Sequence, residues 1–270
     1  MAYGYCGDLN DFISCVSSSF GERISLNRQN TGGYQLSPVE KVVWNEDAKT
    51  LASTLSLLPQ HFLNNIGIIC EYDIPGHLGR CDIIFIGADE NNRKALIVEM
   101  KSWVTFEKSD LRDHVKIHGE NSLHPSCQVV QYYNRVKYFH QLSNNYKYGK
   151  VVLMSKMDKS SVKQLQDISP LDVNIFSLVD QSNDFIERLK RFFSCTNEKR
   201  HISEFVNGKC IPHASFAENL LKKLPGITAG LNSSISTNRA LDLSEKQEQI
   251  TISIENAIDN HNKVLILVYG

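Results

Sequence analysis

The stretch that decides the fold is CEYDIPGHLGRCDIIFIGADENNRKALIVEMKSW, residues 70–103. Two apolar runs, RCDIIFI and ALIVEMKSW, flank the polar segment GADENNRK, a pattern typical of antiparallel strands joined by a turn. A turn centred near Glu90 and Asn91 pairs residues whose numbers sum to about 181. Asp82 on the first strand is therefore predicted to face Glu99 on the second.

The charged residues at the end of the second strand share one face. Glu99 and Lys101 project to the same side, and Met100 projects to the other, because side chains alternate along a strand. Directly opposed residues have Cβ atoms roughly 4.5 to 5.5 Å apart, so the carboxylates of Asp82 and Glu99 would repel each other unless a cation lay between them. Mg²⁺ binds one or two carboxylates in this way, and Mn²⁺ can replace it. We predict a divalent metal site, the alternative being a solvated Glu–Lys pair.

Composition limits the class of protein. The 270 residues suffice for one large domain, or for a medium domain with an appendage. Basic and acidic residues number 29 and 30, so nucleic-acid contact would need a local basic patch. Seven cysteines without CxxC spacing argue against a disulfide framework or a zinc site and favour a reducing cytoplasm. No signal peptide or bilayer-length apolar run is present, so we expect a soluble, cytoplasmic protein with no membrane partner.

A helix is predicted to begin at Ser37 and Pro38, a typical cap followed by proline at the first helical position. Glu40 falls inside the apolar stripe of this helix and Asp47 at its edge. A carboxylate on an inward face is costly to bury unless it is paired or bound to metal. Glu40 is therefore either a metal-site acid or a capping-box residue that bonds to the Ser37 amide. The stripe consists of Trp44, Ala48, Leu51, Leu55, Leu58 and Phe62.

Two further segments leave alternatives open. Residues 65–72, NIGIICEY, form a predicted strand on which Glu71 either lines the face of the metal acids or is solvated, and we favour the solvated position. Residues 106–123 are polar and charged. They either contact a phosphate backbone or form an ordinary solvated surface, which is the more frequent case.

Another helix is predicted to open at His124, in the sequence HPSCQVVQYY. Gln128 and Tyr132 are one turn apart and therefore lie on one side of it. The apolar segments KVVLMS, residues 150–155, and VNIFSLV, residues 173–179, read as strands connected by a parallel crossover. The predicted fold class is α/β, a mixed central β-sheet flanked by helices.

The expected organisation has four parts. Residues 1–36 form an N-terminal extension, 37–195 the main domain, which ends in an amphipathic helix, and 196–240 a linker with one helix. Residues 241–270 contain a helix and the apolar strand KVLILVY, which is followed by Gly270. Such a strand is how a P-loop opens, so we expect a helicase domain that stops just before its phosphate loop and has no ATPase activity. Alternatively, this strand completes the sheet of the main domain.

Several of these motifs resemble those of a known superfamily. Asp82 followed by Glu99-Met100-Lys101 resembles the PD-(D/E)xK nuclease superfamily, although Arg80-Cys81 stands where the proline is expected. Gln128 and Tyr132 are similar to the fourth motif of RecB-type nucleases. The order of motifs over roughly residues 37–270 resembles the Schlafen group 3-like DNA/RNA helicase family.

The resemblance implies a restriction-endonuclease-like core and a Mg²⁺-dependent nuclease acting on DNA or RNA, followed by a C-terminal helicase domain. It also implies a part in genome or antiviral defence, which nothing in the residues themselves shows. Two rival functions remain: a catalytically silent nucleic-acid binding module, and a protein-interaction or regulatory domain. The implied catalytic residues are Asp82, Glu99 and Lys101; the metal ligands are Asp82, Glu99, the Met100 carbonyl and Glu40; the supporting or substrate-binding residues are Gln128, Tyr132, His124 and Arg80.

Overall fold

A computed structural model describes residues 1–74, 79–194 and 201–209 of the chain. Its strands are β1 (Tyr5–Asp8), β2 (Gly67–Asp73), β3 (Arg80–Ala88), β4 (Arg93–Lys101), β5 (Glu107–Lys108), β6 (His114–Ile117), β7 (Glu120–Leu123), β8 (Tyr146–Met154) and β9 (Asn174–Ser177). Its helices are α1 (Leu9–Cys15), α2 (Phe20–Asn30), α3 (Pro38–Leu55), α4 (Gln60–Asn65), α5 (Pro125–Phe139), α6 (Lys159–Asp167), α7 (Ser182–Phe192) and α8 (His201–Val206).

The predicted α/β class with a mixed central sheet is confirmed. Six strands form one sheet in the order β1-β2-β3-β4-β8-β9. The pairs β1–β2, β2–β3 and β3–β4 are antiparallel. The pairs β4–β8 and β8–β9 are parallel. A parallel pair needs a long crossover connection, and α5 and α6 lie in the two connections that the parallel pairs require.

The hairpin of β3 and β4 has the predicted register. Ile83 pairs with Val98 and Ile84 with Ile97, so the residue numbers of each pair sum to 181. Continuing this register by one residue sets Asp82 opposite Glu99. The turn between the strands is fixed by the side chain of Asp89, whose Oδ1 accepts hydrogen bonds from the amides of the two asparagines that follow Glu90.

Both faces of the sheet are buried, which explains why β3, β4 and β8 are almost continuously apolar. One face packs against α1, α2, α3, α4 and α7, and its cluster includes Phe85, Leu96 and Val98. The other packs against α5, α6 and α8, and its cluster includes Ile84, Ile97 and Val152. We call these the α3 face and the α5 face. Successive residues of each strand therefore enter different cores.

Residues 1–36, expected as an extension, contribute to the main sheet. Strand β1 pairs antiparallel with β2, with Tyr5 opposite Cys70. The four-residue sequence YCGD has no alternation long enough to indicate a strand, and β2 acts as its template. Helix α2 then packs against α3 and carries a buried arginine, Arg28, into the neighbourhood of β2.

The charged segment between β4 and α5 forms a small antiparallel sheet, β5-β6-β7, that the sequence did not predict. Val115 of β6 is fully buried in the core of the α5 face, so this sheet is anchored to the domain. The edge strand β5 consists of one acidic and one basic residue, Glu107 and Lys108, and both are exposed.

Several predictions fall on residues 195–200 and 210–270, outside the described residues. They are most of the linker with its helix, the last helix and the P-loop-like strand at 263–269, whereas residues 201–209 of the predicted linker are described and contain α8. In the ranges that the structure does describe, no helix is both long enough and apolar enough to cross a bilayer.

Candidate active site

The carboxyl groups of Asp82 and Glu99 lie side by side where β3 begins and β4 ends. They come from adjacent strands and are close enough for the charge of Asp82 to add to burial in raising the pKa of Glu99. Glu99 is fully buried, and Asp82 is half-buried and lines a cleft. The Asp82 Oδ2 atom accepts a hydrogen bond of 2.8 Å from the Met100 amide, which fixes the orientation of this carboxyl group. The hairpin register therefore brings the two predicted acids together.

Lys101 lies on the same side of the strand as Glu99. Its Nζ is 2.5 Å from Glu99 Oε1 and 5.6 Å from the centre of the Trp103 ring. Although burial opposes it, the negative charges of Glu99 and Asp82 raise the pKa of Lys101, so the side chain carries a positive charge at neutral pH. Its side chain keeps 20% exposure, so the ammonium group can reach the cleft.

The two carboxyl groups receive fewer hydrogen bonds than their oxygen atoms can accept. Burial and the charge of Asp82 raise the pKa of Glu99 well above its usual range, against the opposing effect of Lys101. Burial likewise raises the pKa of Asp82, opposed by Lys101 and the Met100 amide. Glu99 Oε2 is buried without any hydrogen-bond donor. Lys101 offsets part of this repulsion, and a shared proton or a further cation would stabilise the two carboxyl groups more fully.

These oxygen atoms fit a hard divalent cation. Mg²⁺ is bound by one or two carboxylates and retains several waters, so a pair of acids beside an open cleft is sufficient. Among the residues that the structure describes, no group of three or more His, Cys, Asp or Glu side chains is arranged to hold a metal ion. The protein would therefore supply Asp82 and Glu99, and water or substrate oxygens would supply the rest.

The cleft beside these acids has a volume of about 260 Å³ and lies between α3 and the sheet. Four carboxyl groups and two cationic groups line it, so acidic groups outnumber basic ones, and burial raises the pKa of three of the acids, Asp47, Glu71 and Asp82. An acidic cleft attracts cations and repels a phosphate that arrives without them. Its lining consists of Val39, Glu40, Val43, Trp44, Asp47, Glu71, Arg80, Asp82, Met100, Lys101, Ser102 and Trp103.

Glu71 is an acid of the cleft that sequence reasoning placed wrongly in solvent. Its side chain is buried, its Oε1 accepts a 2.7 Å hydrogen bond from Trp44 Nε1, and its Oε2 lies 3.1 Å from Arg80 Nε. Burial raises its pKa to about 7, despite Arg80, and the charge of Asp82 acts in the same direction. The charged residue that looked exposed therefore lies inside the site.

The backbone at Glu71 explains its position. Its φ is 54°, in the left-handed region that a non-glycine residue rarely adopts and that costs of order 1–2 kcal/mol. Cys70 and Tyr72 would share a face of a regular strand, but here they enter the α3 and α5 faces respectively. This reversal turns the Glu71 side chain towards Trp44 on α3. No sequence pattern signals such a reversal.

Arg28 of α2 holds the strained segment. Its Nη1 donates a 2.6 Å hydrogen bond to the Glu71 carbonyl, and its Nη2 donates one of 2.7 Å to Asp73 Oδ1. Its Nε donates to the Tyr34 carbonyl at 3.1 Å. A buried guanidinium group with all these partners is well satisfied. The N-terminal residues thus help to shape the site, although their sequence gave no sign of it.

Glu40 has the capping-box role that was one of its two predicted alternatives. The Ser37 amide donates to Glu40 Oε2 at 2.7 Å, and the Glu40 amide donates to Ser37 Oγ at 3.2 Å. The other oxygen, Oε1, accepts a hydrogen bond from Arg80. Partial burial opposes it, but Ser37 and Arg80 together lower the pKa of Glu40. Both oxygens are therefore engaged, at the mouth of the cleft.

Asp47 is the α3 acid that reaches the interior of the cleft. It is buried, and its Oδ1 accepts a 2.6 Å hydrogen bond from the hydroxyl group of Ser155, the residue after β8. Burial raises its pKa to about 6, and the nearby charge of Asp82 adds to this effect. Its position at the edge of the apolar stripe was visible in the sequence, but its depth depends on how α3 packs on the sheet.

The remaining predicted site residues occupy three kinds of position. Gln128 Nε2 donates to the Tyr132 hydroxyl at 2.8 Å, and burial followed by the charges of Glu99 and Asp82 raises the pKa of Tyr132, so this pair borders the acids. Arg80 bridges the carboxylates of Glu40 and Glu71 at the cleft wall. His124 is different: it is buried as the N-cap of α5 and forms a structural cap.

The ring of His124 is fully used by that cap. Its Nδ1 accepts a 3.2 Å hydrogen bond from the Ser126 amide, and its Nε2 lies 3.2 Å from the Leu165 carbonyl oxygen. Burial lowers the pKa of His124, so the neutral ring that donates through Nε2 fits these partners. No nitrogen of this ring is left to contact a substrate.

Comparison of the chain with protein-family models, with curated proteins and with solved structures finds no match in any of the three. The site must therefore be interpreted from its own geometry. Its components are a buried carboxyl pair, an adjacent lysine and an acidic cleft that opens to solvent. These components suit a cation-dependent reaction on an anionic substrate better than recognition of an anion alone.

Proposed function

We propose that this chain is a Mg²⁺-dependent nuclease domain that hydrolyses phosphodiester bonds of DNA or RNA. The observation that supports it most strongly is the carboxyl pair of Asp82 and Glu99 beside the ammonium group of Lys101. A hard cation would remove the repulsion between the acids and supply a partner for the donor-free Glu99 Oε2. Mn²⁺ would serve as a substitute.

The bound cation would act as a Lewis acid towards the phosphate and would lower the pKa of an attacking water. The chain's own groups have separate tasks. Asp82 and Glu99 would hold the cation, and the Met100 amide fixes the orientation of Asp82 through its 2.8 Å hydrogen bond. Lys101 Nζ, fixed by Glu99 at 2.5 Å, neutralises negative charge that develops on the phosphate or orients the nucleophile.

Two side chains on α5, Gln128 and Tyr132, would stabilise the carboxyl pair without contacting the cation themselves. The Tyr132 hydroxyl accepts a hydrogen bond from Gln128 and lies near enough to Glu99 and Asp82 for their charges to affect its pKa. Outer partners of this kind orient the carboxyl groups that contact a metal, and their loss typically reduces metal affinity or activity by roughly 10–100-fold. Gln128 and Tyr132 are thus positioning residues in this proposal.

The rival binding module is less compatible with the charge of the cleft. A module that binds nucleic acid without catalysis gains most of its affinity from Lys and Arg contacts to phosphates. Here the two cations of the cleft, Arg80 and Lys101, are already paired with carboxylates. Phosphate contact would therefore depend on a recruited cation, and binding that survives chelation would favour the rival module.

The wider setting is also a proposal. The resemblance in the order of motifs is the basis for a larger helicase-nuclease and for a role in antiviral defence, and the cysteine spacing is the basis for a cytoplasmic location. If that role depends on cleavage, cells that express an Asp82→Asn protein lose protection against an invading virus. Equal protection by the wild-type and variant proteins would contradict a nuclease-based role.

The direct test uses labelled single- and double-stranded DNA and RNA with Mg²⁺ or Mn²⁺. We expect the wild-type chain to cleave at least one substrate, EDTA to abolish cleavage, and Asp82→Asn and Lys101→Ala each to reduce it by about 10²-fold or more. Lys190→Ala and Glu187→Gln are matched controls, because this Lys–Glu pair is exposed on α7 with a similar 2.6 Å separation. Cleavage that persists equally in Asp82→Asn and Lys101→Ala would refute the assigned site.

A further inference from the structure

The geometry points to a single-stranded nucleic acid as the substrate, with an unpaired base stacked on Trp103. This inference rests on the proposed nuclease function and names its substrate class. Trp103 lines the cleft two residues after Lys101, and the residue is half-buried, packed in part against the core of the α5 face and in part accessible. Aromatic rings that stack successive unpaired bases are a common device of proteins that bind single strands.

The charges in and around the cleft do not suit a duplex. Proteins that grip a duplex neutralise several phosphates with Lys and Arg, but this cleft has four carboxyl groups against two cations. The neighbouring segment at 106–123, which contains β5, β6 and β7, does not compensate. It contains three Lys or Arg residues and four Asp or Glu residues. Affinity for the substrate must therefore come largely from contacts other than phosphate neutralisation.

The cleft also has exposed apolar surface. Val39, in the first turn of α3, lines the cleft and is 72% exposed, and Val104, the residue after Trp103, is 61% exposed. The ammonium group of Lys101 lies 5.6 Å from the centre of the Trp103 ring and 2.5 Å from Glu99 Oε1. One wall thus suits the flat face of a base, while the floor suits a phosphate with its cation.

The size of the cleft also disfavours a duplex. Its volume of about 260 Å³ is below the roughly 300–1,000 Å³ that is typical of sites for drug-sized ligands, so the cleft is too small to enclose a base pair. A base inside a duplex keeps both of its faces stacked and cannot reach Trp103. Unstacking it requires free energy, which is lowest for a strand that is already single.

The test measures binding and cleavage separately. A strand with the fluorescent base 2-aminopurine, alone or annealed to its complement, is mixed with protein and Mg²⁺, and the first binding phase is followed by stopped-flow fluorescence before turnover. We expect the single strand to bind at least about tenfold more tightly than the duplex. Trp103→Ala weakens single-strand binding by roughly tenfold or more, raises KM and changes kcat little, and Trp103→Phe restores most of the affinity.

Tyr34→Ala, which removes an aromatic side chain that is 87% exposed and does not line the cleft, is the control and leaves binding unchanged. Thermal unfolding confirms that each variant is folded. Equal affinity for single strand and duplex, or unaltered binding by folded Trp103→Ala, overturns the inference even if Asp82-dependent cleavage is present. Conversely, Trp103-dependent binding of single strands without any cleavage supports this inference and refutes the proposed nuclease activity.

Discussion

Strand β4 carries a lysine–carboxylate pair at each of its ends, and the two pairs differ in what surrounds them. Near its start, Lys94 Nζ lies 2.6 Å from Asp89 Oδ2. At its end, Lys101 Nζ lies 2.5 Å from Glu99 Oε1. Each lysine also lies over an aromatic ring. Lys94 Nζ is 5.0 Å from the centre of the Phe192 ring, and Lys101 Nζ is 5.6 Å from the centre of the Trp103 ring. Similar local chemistry thus occurs in two different environments.

The first pair is fully satisfied. Asp89 accepts hydrogen bonds from the amides of Asn91 and Asn92, and Lys94 also donates to the Phe192 carbonyl at 2.7 Å. The hydrogen bond from Lys94, followed by those of the turn, lowers the pKa of Asp89. This pair stabilises the hairpin turn and leaves little capacity to bind anything else.

The second pair is only partly satisfied, because Glu99 is fully buried beside Asp82 and its Oε2 has no donor. Burial raises the pKa of Glu99, the opposite direction to that of Asp89. Placing like charges together lowers stability and creates a demand for a cation. The comparison shows that ion-pair distance alone does not separate a structural pair from a candidate site, whereas the balance of donors and acceptors does.

The largest effect is expected on the rate of cleavage, which should depend on Lys101 and not on Lys94. Lys101→Ala should reduce cleavage by about 10²–10³-fold or more, because it removes a charge placed at the proposed reacting phosphate. Lys94→Ala removes an equally short ion pair at the other end of β4 and should retain near wild-type cleavage with a lower Tm. Initial rates and thermal unfolding of both variants test this. Equal loss of activity in the two would show that both pairs act only through the fold.

The second prediction concerns stability. Asp82→Asn should raise the free energy of unfolding by about 1–3 kcal/mol, because the amide removes a like charge and can donate to the donor-free Glu99 oxygen while still accepting from Met100. Asp89→Asn should instead lower Tm by about 2–4 °C, the shift typical of losing one favourable contact in a protein of this size. Urea and thermal unfolding without divalent cations measure both. A destabilised Asp82→Asn protein would contradict the proposed strain.

The third prediction uses the pKa of Glu71, which burial raises to about 7. Between its ordinary pKa and about 7, the folded protein holds a proton that the unfolded chain has lost, so rising pH favours unfolding. Glu71→Gln cannot titrate. Its stability relative to wild type should therefore increase from pH 5 to pH 8, by an amount on the order of 1–3 kcal/mol. A difference that does not change with pH would show that Glu71 is not buried in this way.

The smallest effect is expected on the α5 face of the sheet, where α8 packs. His140 stacks on Phe205 of α8 at 4.2 Å, its Nε2 donates to the Phe205 carbonyl oxygen, and its Nδ1 accepts from the Leu142 amide. Burial lowers the pKa of His140, so below about pH 6.5 the unfolded chain gains a proton that the folded ring resists. Stability should therefore fall with acid, the opposite sign to Glu71.

Urea unfolding of wild type and His140→Gln at pH 7.5 and pH 5.5 measures this effect. The wild-type protein should lose more stability between these two pH values than the variant does, since the variant lacks the ring that titrates. The same loss in both proteins would assign the acid sensitivity to other groups, of which His124 is the first to examine because burial also lowers its pKa.

Local sequence determined the parts of the site that depend on neighbouring residues. The polar turn around Glu90 and the apolar runs beside it fixed the hairpin register, because a one-residue slip would move every core side chain to the wrong face. The spacing of Ser37 and Glu40 gave the capping box, and the four-residue spacing of Gln128 and Tyr132 gave their hydrogen bond. These interactions are short in sequence, so their geometry follows from the strand and helix repeats.

Tertiary structure alone decided which other acids reach the cleft. Glu71 enters it through a left-handed backbone held by Arg28, 43 residues earlier, and Asp47 through a hydrogen bond to Ser155, 108 residues later. Strand β1 likewise exists because β2 provides its hydrogen-bonding partner. Such contacts join segments that are remote in the chain, and their free energy depends on packing and burial that no local repeat records. The sequence therefore specified the pair at Asp82 and Glu99, and only the folded chain built the acidic cleft around it.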